Sequence, residues 1–348
     1  MPNARATHLT RRGILAAGGA LGLGAVLAAC GDDDAKSGGS DEATTAAKSG
    51  PWTFKDDRGT TVKLDKVPTK IVAFVGVAAA LYDYGIEING VFGPTKTQDG
   101  KADVQAGDMD VSKLTVFGNV WDQFNVEKYA AFAPEVLIST TFDGAGTLWY
   151  VPEASKDKIA KLAPSAAVSV YDRQLTKPLE KMWELAESLG ADMKADKAVQ
   201  SKKDFEAAAE RLRKAAKARP EIKVMAGSAS QEIFYVSGTN LSIDLEYFKA
   251  LGVNFVEPPE SAKKEGGGWF ESLSWENVDK YPADIIMMDD RSSTIQPKDI
   301  TEATWKKLPA VKAGQVIARS PEPILSYDKC TPLLTSLAEA IEKAKKVA

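Results

Sequence analysis

The sequence predicts an α/β protein in which two Rossmann-like lobes are joined by one long interlobe α-helix. From Lys70 onward, short runs rich in β-branched residues alternate with helical patterns, which indicates parallel sheets covered by helices. The alternation is interrupted once, by a helical pattern over residues 194–218 that contains neither glycine nor proline. A folded part of about 300 residues exceeds one ordinary domain, which also favours two lobes.

The first lobe, residues 52–193, is predicted from three strands and two helices in alternation. The strands are predicted over residues 71–75, 136–140 and 166–171, and the helices over residues 78–84 and 178–189. Gly190 follows the second helix, and glycine is the residue most often found just beyond a helix C-terminus. These elements are sufficient for one α/β lobe.

The interlobe helix over residues 194–218 would be roughly 35 Å long at about 1.5 Å per residue. It ends at Arg219-Pro220, where the second lobe, residues 219–348, begins. This lobe is predicted to contain strands over residues 222–226, 233–236, 285–288 and 316–318 and a final helix over residues 332–346. One stiff helix between the lobes should permit only small changes in the angle between them.

The N-terminal residues 1–29 have the layout of an export signal and not of a fold. A basic start with Arg11-Arg12 precedes an acid-free run of small and apolar residues over 13–29. The run ends in Leu-Ala-Ala before Cys30, which resembles a bacterial lipobox, and the arginine pair resembles a twin-arginine export signal. A single transmembrane anchor is the alternative, but the run falls short of the ~20 apolar residues that span a bilayer.

Residues 30–51 are rich in glycine, serine, alanine, threonine and acids, and predict a flexible tether. A lipid on Cys30 would hold the protein at the membrane, while the tether would leave the folded part free to reach a membrane partner. We therefore expect an exported protein that is lipid-anchored on the outer face of the cytoplasmic membrane.

Charge and histidine content exclude several classes of function. Removal of residues 1–29 takes away three arginines and no acids, so the formal charge falls from −4 to −7, which argues against nucleic acid as a partner. The single histidine, His8, lies in the export signal. Without imidazole, Ser-His-Asp and Cys-His catalysis and most zinc sites are excluded. We expect a protein that is not an enzyme, although an enzyme using carboxylates alone stays open.

Two segments at corresponding places of the two lobes share one pattern. Residues 124–138 and residues 273–287 each contain a short helix carrying a glutamate, then a turn with proline and an acid, then a buried strand. With this pair the sequence resembles the helical-backbone class of ABC substrate-binding proteins, which deliver ferric siderophores, haem and cobalamin. The resemblance covers essentially all of residues 52–348.

The resemblance implies a monomeric protein that binds a ferric siderophore between its lobes and delivers it to an ABC permease dimer with ATPase subunits. It also implies a docking role for Glu127 and Glu276, since in this class the glutamate of each copy pairs with arginines of the permease. Two carboxylates held far apart on a rigid body can recognise the orientation of a two-fold partner. The alternative is that both are ordinary solvated helix acids.

A siderophore complex is bulky, partly apolar and rich in oxygen, so its pocket should offer aromatic faces with a few cationic or hydroxyl donors. Residues of these types near strand ends and glycines are therefore candidates for ligand contact. They are Trp121, Trp149, Tyr150, Arg173, Tyr235, Trp269, Arg291 and Tyr327. The alternative for each aromatic residue is core packing, and for each arginine an ion pair with a nearby acid. Trp183, on a periodic helix, is assigned to the core.

The iron should arrive as an Fe(III) chelate, so we expect no cofactor and no direct metal site. A tyrosinate ligand from Tyr150, Tyr235 or Tyr327 keeps haem open, and cobalamin and a surface lipoprotein without a transport role also stay open. The modest number of arginines favours a neutral or weakly charged hydroxamate over a highly anionic catecholate.

Overall fold

The computed structural model describes residues 50–348. The predicted export signal over residues 1–29, the lipid site at Cys30 and nearly all of the tether over residues 30–51 lie outside the described residues. Within the described range, no helix combines the length and the apolar character needed to cross a membrane.

The described elements follow the predicted alternation, with one long helix near the middle of the chain. Before it lie β1 (Trp52–Lys55), β2 (Thr61–Leu64), β3 (Ile71–Phe74), α1 (Val75–Asp83), β4 (Gly90–Phe92), β5 (Thr115–Val116), α2 (Val126–Phe132), β6 (Val136–Thr141), α3 (Lys156–Leu162), β7 (Ser165–Ser169) and α4 (Thr176–Ser188). The long helix is α5 (Asp196–Ala218). After it lie β8 (Lys223–Ala229), β9 (Ile233–Ser237), α6 (Ile243–Ala250), β10 (Asn254–Phe255), β11 (Phe270–Ser274), β12 (Ile285–Asp289), α7 (Ala303–Lys307), α8 (Pro309–Lys312), β13 (Val316–Arg319) and α9 (Tyr327–Lys343).

The N-terminal lobe is built on a five-stranded parallel sheet in the order β5-β4-β3-β6-β7. The central strands β3 and β6 are buried along their whole length, as strands covered on both faces must be. β1 and β2 form an antiparallel hairpin. The indole of Trp52 in β1 donates to Ser188 at the end of α4 at 3.0 Å. The parallel sheet predicted for this lobe is confirmed.

The C-terminal lobe has a mixed sheet in the order β11-β9-β8-β12-β13, with β10 beside the start of β8. The parallel arrangement expected here is correct for β8, β10, β12 and β13 and wrong for β9, which runs antiparallel to both of its neighbours, β8 and β11. β8 ends at Ala229 and β9 begins at Ile233. A link this short allows a hairpin but not the crossover that parallel strands require.

The predicted interlobe helix is present as α5, one unbroken helix of 23 residues that begins two residues after the predicted start. Its apolar face packs against α9. The rings of Phe205 and Tyr327 lie 5.3 Å apart at one end, and Arg219 donates to the carbonyl of Ala344 at 3.0 Å at the other. These contacts place the two helices side by side in the same direction.

The last helix, α9, begins at Tyr327, five residues before the predicted start, because Ser326 caps it by accepting from the backbone of Lys329 at 3.2 Å. The start of α9 is also bound to the N-terminal lobe. Ser326 donates to Asp83, and the backbone of Tyr327 donates to the hydroxyl of Tyr84 at 3.1 Å. Although α9 follows the C-terminal sheet in sequence, it therefore forms a second link between the lobes.

Candidate ligand-binding site

A cavity of about 900 Å³ lies where the carboxyl ends of strands from both sheets meet. Phe142 enters it directly after β6, Asp289 at the end of β12 and Arg319 at the end of β13. Ligands of open α/β sheets bind at this end of the strands. Ligand pockets usually measure about 300–1,000 Å³, so this cavity can hold a large small molecule.

Four aromatic residues form the wall of the cavity on the N-terminal lobe. The ring centroid of Trp149 lies 4.5 Å from that of Phe142 and 4.6 Å from that of Trp121. Tyr150 completes the group, 5.0 Å from Trp121. Trp121 is 54% exposed, which places it at the mouth of the cavity. The wall offers aromatic faces to a ligand from the mouth inward.

The loop after β6 holds Trp149 and Tyr150 in place by folding back onto its own strand. The backbone of Trp149 donates to the carbonyl of Thr140 at 2.9 Å, and Ser139 donates to the carbonyl of Trp149 at 2.9 Å. Tyr150 has a φ of +60°, which a bulky side chain rarely adopts and which is enriched at functional sites. Burial raises the pKa of Tyr150 to about 12.

The C-terminal lobe contributes Tyr235, Trp269 and Phe270 to the opposite wall. Trp269 directly follows Gly267 and Gly268, whose φ angles of +63° and +90° suit glycine, and its ring lies 6.3 Å from that of Phe142 across the cleft. The rings of Tyr235 and Phe270 lie 5.0 Å apart. Aromatic side chains thus face the cavity from both lobes.

Glu322 joins the two lobes at the cavity. It accepts hydrogen bonds from Gln105 at 2.9 Å and from the indole of Trp149 at 3.0 Å, both in the N-terminal lobe. On the other side it accepts from Arg291, whose guanidinium also donates to Asp289 at 2.6 and 3.0 Å. Asp289 is buried and Glu322 is partly buried, with 1% and 9% of their side chains exposed. The guanidinium is therefore held by two carboxylates with little access to solvent.

Arg319 is the other arginine that lines the cavity, and it is paired as well. Its guanidinium donates to both oxygens of Asp244 at 2.7 and 2.9 Å and to the hydroxyl of Ser237 at 3.2 Å. Asp244 is the second residue of α6, where a negative charge is also favoured by the helix dipole. The pair connects the end of β13 to the start of α6.

Six of the eight residues that the sequence proposed for ligand contact are brought together in this cavity. They are Trp121, Trp149, Tyr150, Tyr235, Trp269 and Arg291. Their contact with a ligand stays a prediction.

The expected placement of the other two candidates, Arg173 and Tyr327, is wrong. Arg173 does not line the cavity and instead pairs with Asp57 of the β1–β2 hairpin at 3.5 Å. Tyr327 is only 4% exposed and packs against Trp183 and Phe205, because the helix that contains it starts earlier than predicted. Trp183, which also lies outside the cavity lining, packs among aromatic residues as expected.

Phe142, Glu322 and Arg319 were not among the sequence candidates. Phe142 lies two residues beyond a predicted strand, Arg319 one residue beyond another, and Glu322 shortly after it. The rule that strand ends open on the cleft could have identified all three.

The two predicted docking glutamates are both exposed at the surface. Glu127 lies in the first turn of α2, whose cap Asn125 accepts from the backbone of Lys128 at 2.8 Å. Glu276 lies in a single 3-10 turn, Trp275–Asn277, which is shorter than the α-helix that carries Glu127. Its own backbone N–H and Ser274 hold the pKa of Glu276 below its usual range, so the carboxylate is charged. The docking role of both residues stays a prediction.

Comparison with known proteins supports the fold. The model of the family described as periplasmic binding protein matches residues 76–323. Among solved structures, the chain is similar to DesE, a ferric-siderophore receptor protein from Streptomyces coelicolor, with 78% identity and a TM-score of 0.84 over 85% of this chain and 100% of that one. The comparison with curated proteins gave no match.

Two more distant structures share the fold. The petrobactin-binding protein YclQ from Bacillus subtilis is 18% identical with a TM-score of 0.62, over 84% of this chain and 99% of that one. FhuD2 from Staphylococcus aureus, solved with bound ferrioxamine B, is 23% identical with a TM-score of 0.51, over 79% and 98%.

The family match runs from α1 to the segment after β13, so it includes the C-terminal sheet, four of the five strands of the N-terminal sheet and the whole cavity lining. Members of this family are solute-binding proteins and not enzymes, and they act outside the cytoplasm. The chain therefore belongs to the periplasmic binding protein family.

Proposed function

We propose that the protein binds a ferric siderophore, of hydroxamate type, in the cavity between its lobes and delivers it to an ABC importer. The observation that carries this proposal is a cavity of about 900 Å³ with aromatic walls from both lobes. The 78% identity to a ferric-siderophore receptor protein supports the same ligand class. The ferrioxamine B bound to FhuD2, a more distant protein of the same fold, is compatible with a hydroxamate.

The cavity suits a chelate whose surface is partly apolar and partly lined with oxygen atoms. The rings of Trp121, Trp149 and Trp269 can pack on hydrocarbon arms and on chelate planes. Hydroxyl groups of Ser228 and Ser237 also line the cavity and can donate to chelate oxygens, whereas the Thr294 hydroxyl already donates to the carbonyl of Arg291 at 3.0 Å. The protein needs no cofactor for this function, because the iron arrives with its coordination sphere already filled.

Haem is less well supported than a siderophore by the positions of the tyrosines. Tyr327 lies outside the cavity, and burial raises the pKa of Tyr150 to about 12, which opposes formation of a tyrosinate. Haem and cobalamin are therefore tested as competing ligands.

For transport, we propose that the loaded monomer docks on the permease dimer through Glu127 and Glu276. A lipid on Cys30 would keep it at the outer face of the membrane. ATP hydrolysis in the transporter would then spread the lobes and release the ligand. No step requires covalent chemistry by this chain.

Quenching of intrinsic tryptophan fluorescence tests the ligand. The protein is titrated with ferric hydroxamates, a ferric catecholate, haemin and cobalamin, and we expect saturable quenching by the hydroxamates. Trp149→Phe should reduce both the quenching amplitude and the affinity. Trp183→Phe, outside the cavity lining, is the matched control and should leave the affinity unchanged. Binding of haemin or cobalamin alone would overturn the ligand class, and no binding at all would overturn the proposal.

Iron uptake by cells that depend on this protein tests the docking role. Replacement of both Glu127 and Glu276 with alanine should leave ligand binding intact and abolish uptake. Replacement of Glu87 and Glu206, two exposed glutamates elsewhere on the surface, is the control and should leave uptake unchanged. Persistent uptake in the first variant would show that these carboxylates do not direct docking.

A further inference from the structure

The charges that line the cavity do not balance. Arg291 is paired with Asp289 and Glu322, so these three groups together carry one negative charge. Arg319 is paired with Asp244, and these two charges cancel. No guanidinium lining the cavity within the described part of the chain is therefore left as an unpaired positive charge for an anionic ligand.

Two further carboxylates line the N-terminal wall without a cation at ion-pair distance. Asp122 lies next to Trp121 in the chain, and Asp143 begins the loop that leads to Trp149. Neither forms an ion pair with a lysine or arginine among residues 50–348. Glu153, which also lines the cavity, is by contrast paired with Lys156. The lining therefore carries three negative charges that are not compensated.

Asp143 is ionised at neutral pH. Burial alone would raise the pKa of Asp143, but hydrogen bonds from Thr147, whose backbone donates at 2.9 Å, outweigh burial and hold the pKa below its usual range. The same wall presents the faces of Trp121, Trp149 and Tyr150, and aromatic faces attract cations. The carboxylates and the aromatic rings of this wall thus both favour a positively charged ligand.

We infer that the cavity discriminates among ferric hydroxamates by net charge, and binds complexes that carry a free ammonium arm more tightly than complexes whose arm is neutral or anionic. In a ferric trishydroxamate, three singly charged hydroxamates neutralise Fe(III), so the net charge of the complex is the charge of its arm. The inference rests on the proposed function and names the ligand class of the same site. Asp122 and Asp143 are the groups expected to attract the ammonium.

A matched set of ligands tests the inference on the full exported chain. The probes are ferrioxamine B with its free amine, its N-acetylated form, which is neutral, and its N-succinylated form, which is anionic. We expect the affinity to fall in this order, by roughly three- to tenfold from the first to the last, since an exposed charge pair changes an affinity by up to about fivefold. The difference should shrink at 0.5 M salt, where the screening length falls below about 5 Å.

The outcomes separate this inference from the proposed function. Equal affinity for the three ligands, or tightest binding of the succinylated form, would overturn the charge inference and leave siderophore binding intact. If none of the three ligands binds, the proposed hydroxamate ligand is itself wrong, and the charge inference falls with it.

A double variant, Asp122→Asn with Asp143→Asn, assigns the effect to these two side chains. Asparagine tolerates the φ of +61° at position 122 and can still accept from the backbone of Thr147 at position 143. The ratio of affinities for the cationic and anionic ligands should fall, with a residual preference from the net negative charge of Arg291, Asp289 and Glu322. Asp99→Asn, an exposed residue outside the cavity lining, is the control and should keep the ratio. An unchanged ratio in the double variant would contradict the assignment.

Discussion

Replacing Asp244 with asparagine should destabilise the protein by about 3–5 kcal/mol, because it leaves the charge of Arg319 buried without a counter-ion. The two side chains are 1% and 5% exposed and share hydrogen bonds of 2.7 and 2.9 Å. A domain is typically stable by only about 5–15 kcal/mol, so this loss would be a large fraction of the whole.

Thermal unfolding followed by circular dichroism measures the effect. At about 2 °C per kcal/mol for a chain of this size, the midpoint should fall by roughly 6–10 °C. The double variant Asp244→Asn with Arg319→Met replaces the pair by groups without net charge and should recover most of the loss. Wild-type protein and both variants are compared at the same pH and concentration.

Two results would refute this reasoning. A loss below about 1 kcal/mol for Asp244→Asn would mean that water in the cavity solvates the guanidinium of Arg319 well enough to replace its partner. A double variant no more stable than the single one would mean that the unpaired charge is not what destabilises the protein.

Three further predictions follow from other groups. Glu322→Gln should leave Arg291 with one carboxylate partner instead of two, and so reduce the preference for cationic over anionic ligands in the same titrations. Hydrogen bonds from the backbone of Lys70 and neighbouring groups lower the pKa of Glu135 to about 2 from 4.5. Because the folded value is the lower one, the charged Glu135 stabilises the fold above pH 4.5, and this contribution is lost as the pH falls towards 2. Glu135→Gln should therefore lower the unfolding midpoint at pH 7, and the midpoints of variant and wild type should converge as the pH falls towards 2. Burial raises the pKa of the Cys330 thiol, so a thiol reagent should label it, as read by peptide mass spectrometry, only after denaturation.

The elements of the fold were predictable where a local pattern determines them. The apolar run of β12 and the glycine-free pattern of α5 are confirmed with bounds that differ by at most two residues. The direction of β9 was not predicted, although the short link after Ala229 contains that information. The early start of α9 depends on the cap at Ser326. Because Ser326 is a single polar residue, the spacing of apolar residues does not reveal it.

The candidate site was predictable only in part, since its residues come from distant parts of the chain. Glycines beside Trp149 and Trp269 correctly indicated loops that reach the cavity. Glu322, however, meets Trp149 across a separation of 173 residues, and no local pattern contains that contact. The same holds for the pairing of Arg319 with Asp244. An ion pair of Arg291 with a nearby acid was therefore foreseen, whereas its second partner Glu322 was not.

The attachment of α9 to the N-terminal lobe limits how the cleft can open. When one helix alone connects two lobes, the lobes can twist about the axis of that helix as well as bend. The two helices α5 and α9 lie side by side and together oppose this twisting. The motion that they oppose least is a bend of the lobes about one axis perpendicular to the helices. The walls that carry Trp121 and Trp269 would then separate along a single arc while still facing each other, so a ligand would leave through the mouth of the cleft without being sheared between the lobes.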